Sequence, residues 1–395
     1  MHIKSFEFNL RELAGSIGDF GTLIPLSIAL ITINGLSFTA VFLMVGLFYL
    51  ASGLYYRLPI PVQPLKVVAA IAIVSPDRVT LEVMSATGIL FGAFLLLLAV
   101  TGLIDQVSKL FTRPIVRGIQ LGLGFILITK GITFIKDQEL FIQSSGNEVL
   151  IGTVPVNLIV GLVGIVLVLL LLTSKRFPAA LVIVGAGVIV GTAYGAFSDT
   201  EWNFGPTRMG LFVPGLNDYA TALMLLVIPQ IPLTIGNAII GTADTARSLF
   251  GKGEESRKAT HRSLAVSMGL ANIPAGLLAG MPMCHGAGGL AAHYRFGART
   301  GGSNIMIGLI LGTIALAFGI VGVSILSSIP NAVLGVLLLF AGLELAILVR
   351  DVKQKEDLFV VCLIAGIGLA TTNMGIAFGA GIVVDRLIKW GRVRL

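Results

Sequence analysis

The sequence predicts an all-α polytopic membrane protein of about 14 transmembrane segments, arranged as a 7+7 inverted repeat. Three observations predict it. Of 395 residues, 55% are hydrophobic and only 12% charged, with mean hydropathy +0.96, whereas soluble domains carry about 25% charged residues. Apolar runs long enough to cross a bilayer recur from end to end; continuous runs of this kind satisfy their backbone in lipid as helices. The basic side chains gather in alternate short loops, the pattern that orients membrane helices.

Taken in order, apolar segments fall at 14–33, 36–56, 62–75, 79–104, 114–135, 154–173 and 178–197, and then at 218–240, 262–280, 282–297, 303–325, 329–348, 357–372 and 375–390. Several are shorter than the roughly 20 residues of a full crossing. Segments 62–75 and 282–297 are both opened by Pro or Gly clusters and occupy the third place of their halves. An odd number of spans per half inverts the second relative to the first, and broken helices in corresponding places are the best pointer to a transporter's substrate site. The chain therefore divides into an interfacial N-terminal segment at 1–13, a first repeat at 14–197, an outer linker at 198–217 and a second repeat at 218–395. Ile3, Phe6, Leu10 and Leu13 share one helical face, which suits a helix lying in the interface.

With both termini cytoplasmic, the inner loops hold Lys109, Arg113, Arg117, Lys175, Arg176, Arg247, Lys252, Arg257, Lys258, Arg386, Lys389, Arg392 and Arg394. The outer loops hold Asp137, Glu139, Glu148, Asp199, Glu201 and Asp218 against Lys136 and Arg208. The net charge of +7 thus reads as topology rather than as a nucleic-acid surface. Two distant cysteines, Cys284 and Cys362, indicate neither a disulfide framework nor a metal site. The N-terminus lacks the apolar core of a cleaved signal peptide.

Four stretches carry the candidate chemistry: "GDFGTLIP" at 18–25, "PVQPLK" at 61–66, "IPQIPLTIGNA" at 228–238 and "MCHGAGG" at 283–289. Pro61 and Pro64 impose extended backbone, so a half-helix begins near Leu65, its first amides lacking internal acceptors. Glycines 286 and 288, around Ala287, offer bare amides after His285 at a second start. Each start carries roughly half a positive charge, and with the Lys66 ammonium they sum to about +2, enough for a divalent tetrahedral oxyanion. Lys66 otherwise snorkels or pairs with Asp19. Gln63 and Gln230 either donate to substrate or satisfy broken backbone. Thr234 and Asn237 either join helices or touch substrate. His285 is a donor or a helix cap, and no second ligand is spaced for a metal. Asp19 is a candidate proton carrier, because its ionised form is penalised beside a dianion; an ion pair is its other role. No nucleophile elbow, HExxH or P-loop is present, so no enzyme and no cofactor is indicated.

At the same stretches the chain resembles the molybdate transporter family, related to the sulfate permeases (SulP). The resemblance rests on "GSIGDFGTLIPL", "PVQPLK", "GNAIIGTADTARSLF" and "MCHGAGGLAAHYRFGARTG". It implies a fold shared with nucleobase permeases, with core and gate domains and two half-helices facing across the substrate. By position, Gln63, Pro64, Leu65 and Lys66 face His285, Gly286, Ala287 and Gly288, with Asp19, Phe20, Gly21, Thr22 and Gln230 beside them. It also implies secondary import of molybdate, with tungstate and sulfate as alternatives, by rocking or elevator movement in a prokaryotic inner membrane. Protons and a homodimer are further implied partners. Two departures stand out: no cytoplasmic regulatory domain follows, and Gln230 stands where sulfate permeases carry a glutamate. A nucleobase permease of the same fold is the alternative function.

Overall fold

The computed structural model describes residues 6–109, 111–142, 148–172, 174, 178–197, 202–251 and 253–391. Ile3, Lys175, Arg176, Asp199, Glu201, Lys252, Arg392 and Arg394, used above for amphipathicity and loop charge, lie outside them.

Helix α1 (Leu10–Ser16) bends by 49° into α2 (Phe20–Asn34), and α3 (Phe38–Tyr56) follows. A short strand, β1 (Gln63–Pro64), leads into α4 (Lys66–Val74). Helices α5 (Leu81–Thr101), α6 (Ile104–Ser108) and α7 (Arg113–Ile135) come next. A hairpin of β2 (Leu150–Ile151) and β3 (Val154–Pro155) precedes α8 (Val156–Leu171) and α9 (Ala179–Ala193). The stretches α10 (Leu216–Thr221), α11 (Ile228–Leu233) and α12 (Thr242–Phe250) belong to one helix of 35 residues, with π-helical turns at Ala222–Val227 and Thr234–Gly241 between them. Pro229 and Pro232 supply no amide to the helical ladder there, so the turns on either side of α11 widen.

Helices α13 (Glu254–Lys258) and α14 (His261–Leu277) lead to β4 (Met283–Cys284) and α15 (Ala287–Phe296). Helix α16 (Gly302–Ala317) turns by 88° into α17 (Gly319–Ser327), followed by α18 (Asn331–Ala346), α19 (Lys355–Thr371) and α20 (Met374–Lys389). Among the described residues, 5 helices are long and apolar enough to cross a membrane alone, and up to 7 if each bent pair forms one span.

Two groups of helices share the interior. In one, α3 packs along α16 and α5 along α14; in the other, α7 packs along α18 and α19, and α19 along α20. The closest approaches are backbone to backbone. A Cβ on Gly124 would lie 2.7 Å from the Gly342 carbonyl, and one on Gly131 2.5 Å from that of Gly335, so α7 and α18 touch through paired glycines seven residues apart. Small residues allow this contact where no water drives helices together.

Between α3 and α4 the chain is extended inside the protein, where every unmet carbonyl costs several kcal/mol. Side chains meet these carbonyls one by one. Asn304 Nδ2 donates to Ile60 O at 2.6 Å, Tyr49 Oη to Val62 O at 3.2 Å, and His293 Nδ1 lies 2.9 Å from Pro59 O. Strand β4 is held likewise: Asn272 accepts from Met283 N and donates to Met283 O, both at 2.7 Å. Strands β1 and β4 then pair antiparallel, Gln63 opposite Cys284 and Pro64 opposite Met283.

The N-terminal expectation needs correction. No helix covers residues 6–9; α1 starts at Leu10, where the Asn9 side chain accepts from the amides of Arg11 and Glu12 at 3.0 Å. Glu12 is buried and accepts from the backbone of Arg299 and Thr300, so this turn is tied to the loop before α16.

Candidate functional site

Strand β1 delivers Gln63 and then Lys66 to the start of α4, and β4 delivers α15 to the same place from the opposite direction. Between them and the N-terminus of α2 lies a cavity of about 380 Å³. Its wall contains Asp19, Gly21, Thr22, Gln63, Lys66, Asn237 and Gly288 from the sequence-derived candidates. The volume lies at the lower end of the range usual for small-ligand sites.

The carboxylate of Asp19 is buried and accepts from Gln63 Nε2 at 2.6 Å. Gln63 is 1% exposed, and its Oε1 has no partner among the described residues. The amide of Gln63 fits because α15 begins with glycine. A Cβ on Gly289 would lie 2.5 Å from Gln63 Nε2 and 2.6 Å from Asp19 Oδ2. The first amides of α15 have no helical acceptor, and the exposed Gly288 brings that helix start to the cavity surface.

Lys66 is half-buried on the wall, and among the described residues no carboxylate lies within ion-pair distance of it. The pairing with Asp19 is therefore not formed, although both Asp19 and Glu344 are close enough to interact with its charge. A cation without a bonded counter-ion inside a membrane-spanning fold is costly, and such residues are ordinarily functional.

Other candidates take different places. Gln230 is buried outside the cavity wall. Its Oε1 accepts from Val67 N at 2.9 Å and Val68 N at 3.4 Å, and its Nε2 donates to Thr234 Oγ1 at 2.9 Å. The expectation of free amides at the start of α4 is thereby corrected: a side-chain carbonyl from α11 already caps two of them. Gln230→Ala is expected to lower the stability of the ligand-free protein by about 1–2 kcal/mol, the usual loss for a helix cap. Thermal unfolding of the purified variant checks this; a residue acting only on substrate would leave that midpoint unchanged.

His285 also faces away. Its Nδ1 lies 2.9 Å from Pro61 O and its Nε2 2.9 Å from Ser267 Oγ, with Phe48 and Tyr56 against the ring. Both nitrogens are engaged in holding the extended chain, which corrects its placement as a substrate donor. Phe20, Pro64, Leu65, Gly286 and Ala287 build the walls from behind. Leu65 N, for example, donates to Pro282 O at 2.9 Å.

Gly18 and Gly289, from two of the quoted stretches, also line the cavity, as do Glu344, Arg117 and Gln120, which the sequence reading did not place in the site. Arg117 is bidentate on Asp351, Nε to Oδ1 at 2.9 Å and Nη2 to Oδ2 at 2.6 Å, and its Nη1 donates to Gln120 Oε1 at 2.7 Å. Glu344, on α18, is exposed to the cavity, its Oε1 3.9 Å from the Cβ position of Gly21. The signal was present: a lone carboxylate in the apolar run 329–348 is a functional-site residue by default. The cavity expected to be basic thus sets Asp19 and Glu344 beside Lys66 and an Arg117 already paired. Among the described residues no group of three His, Cys, Asp or Glu is placed to hold a metal.

A family described as "molybdate transporter of MFS superfamily" matches residues 11–127 and 222–345. Molybdate transporter 2 of Arabidopsis thaliana is 31% identical over 96% of this chain and 87% of its own length. Molybdate transporter 1 of the same plant is 31% identical over 98% and 91%, and molybdate transporter 1 of Chlamydomonas reinhardtii is 28% identical over 94% and 90%. Among solved structures, the transmembrane domain of the cyanobacterial bicarbonate transporter BicA superposes with TM-score 0.64 at 16% identity, over 95% of this chain and 96% of that one. The murine anion transporter Slc26a9, inward-facing, gives TM-score 0.70 at 15% identity, over 100% of this chain and 70% of that one. The fold therefore follows the sulfate permease-like transporters, and the chain is an integral membrane protein. It belongs to the molybdate transporter family.

Proposed function

We propose that the protein is a secondary transporter that imports molybdate, held between Lys66 and the start of α15. The observation that carries this reading is a cavity whose wall combines a lysine without a bonded counter-ion with the glycine-lined start of a half-helix. Positive charge and preorganised donors are what an oxyanion requires after losing its water. Tungstate and sulfate, of the same charge and shape class, are alternative cargoes on this reading.

Several features support about 14 spans in an inverted repeat. Strands β1 and β4 pair about their own centre and each opens a half-helix. The glycine contact between α7 and α18 is likewise reciprocal. Arg57 after α3 and Ala279 after α14 are both left-handed non-glycine residues shortly before the crossing strands. The α3–α16 and α5–α14 pairs form the core and the α7–α18–α19–α20 group the gate, and the core moves against the gate to expose the cavity alternately. Both termini face the cytoplasm of a prokaryotic cell, and the protein forms a homodimer through the gate. Protein in liposomes should accumulate molybdate in a saturable manner; molybdate binding without flux would argue for a receptor.

A second reading has its own observation. Asp19 and Glu344 could accept from the ring N–H groups of a nucleobase, so uracil is the comparison that any binding experiment must include.

A further inference from the structure

We propose that Glu344 is the protein's proton-binding site: it serves Lys66 as counter-ion in the empty cavity and takes up a proton when a divalent oxyanion enters. The inference rests on the reading of the cavity as an oxyanion site and deepens it by naming a coupled ion.

Glu344 is the one titratable residue of α18. It stands on the gate side of the cavity, across the seam from α2 and α4, with its Oε1 3.9 Å from the Cβ position of Gly21. No hydrogen bond or ion pair is formed by its carboxylate among the described residues. Every other charge that faces it is engaged or remote. Helix α7 presents Arg117, bidentate on Asp351, Arg113, 3.8 Å from the same carboxylate, and Lys130, stacked over Phe134. The turn Ile347–Asp351 brings Arg350 and Asp351. From the α2 end comes Asp19, whose carboxylate already accepts from Gln63. Helices α8 and α9 carry no charged residue. Lys66, across the cavity, is the remaining cation and has no bonded counter-ion.

A dianion entering beside Lys66 replaces Glu344 as its counter-charge and repels the carboxylate. Protonation of Glu344 removes that repulsion, so anion and proton bind with positive coupling, each raising the affinity for the other by the same factor. The proton would then be taken up by Glu344 as the anion enters from one side and released as the anion leaves to the other. Asp19 suits this part less well, because its carboxylate holds the Gln63 donor in place.

The experiment is a molybdate titration of the purified full-length protein between about pH 6 and about pH 8, where the oxyanion keeps its charge and carboxylates with raised affinity for protons titrate. Proton uptake is counted by calorimetry in buffers of different ionisation heat. Wild-type affinity should weaken toward high pH, approaching about tenfold per pH unit where one proton is taken up per anion. Glu344→Gln should bind tightly with no pH slope and no proton uptake, while Glu344→Asp and Asp19→Asn keep both. An unchanged slope and uptake in Glu344→Gln, or their loss in Asp19→Asn alone, would overturn the assignment while leaving the oxyanion site intact. If Glu344→Gln does not fold, Glu344→Asp decides, since a shorter acid must still take up the proton. Absence of molybdate binding by the wild type at every pH would instead remove the underlying site and this proposal with it.

Discussion

Lys66→Ala is expected to abolish molybdate uptake and to weaken molybdate binding by roughly 30- to 1,000-fold, the equivalent of about 2–4 kcal/mol. The size of the effect follows from the surroundings. Lys66 is the cavity's one cation without a bonded partner among the described residues, because Arg117 is committed to Asp351 and Gln120. Its removal leaves Asp19 and Glu344 facing the incoming dianion with no compensating charge. The same substitution should not unfold the protein, since no hydrogen bond or ion pair of the described structure depends on the ammonium. Lys66→Arg should recover part of the affinity, limited by the larger guanidinium in a cavity of about 380 Å³. Binding and unfolding measured on one preparation separate these effects. Wild-type affinity in Lys66→Ala would place the anion elsewhere.

Gly289→Val is expected to be nearly as damaging, by sterics alone. The first carbon of the new side chain would fall 2.5 Å from Gln63 Nε2 and 2.6 Å from Asp19 Oδ2. Overpacking of this kind costs about 1–3 kcal/mol. Either the Gln63–Asp19 hydrogen bond breaks or α15 retreats from the cavity, and both outcomes should lower molybdate affinity at least about tenfold. Gly288→Ala is the control for stability, because a Cβ there meets nothing within 4 Å. A Gly289→Val protein with wild-type unfolding temperature and affinity would show that the Gln63–Asp19 contact is dispensable.

Much of the fold was legible because two physical rules act directly on the sequence. Apolar length marks the spans, and proline or glycine clusters mark where a helix cannot continue; hence the starts of α4 at Lys66 and α15 at Ala287 fall where Pro64 and the glycines after His285 point. What remained illegible was direction. Gln230 and His285 have the chemistry of ligands, yet each turns toward backbone that the same breaks had left unsatisfied. Sequence shows that a broken segment needs such partners without showing which polar residue will serve. Glu344 and Arg117 were missed for the converse reason: both sit in unbroken helices, α18 and α7, where the lone carboxylate of Glu344 marks a polar residue without showing what it faces, and only the packing of those helices against α2 and α4 brings them to the cavity. The single helical face drawn through Phe6, Leu10 and Leu13 did not form because Asn9 caps the helix at Leu10, leaving 6–9 outside it.

The reading of the cavity as an oxyanion site is most directly tested by titrating the purified protein with molybdate, tungstate, sulfate and uracil while following thermal unfolding. A ligand that binds only the folded state raises the midpoint increasingly as its concentration passes the dissociation constant. Stabilisation by molybdate and tungstate, smaller with sulfate and absent with uracil, is the expected result, and it should vanish in Lys66→Ala. Stabilisation by uracil alone would contradict it and assign the cavity, through Asp19 and Glu344, to a nucleobase.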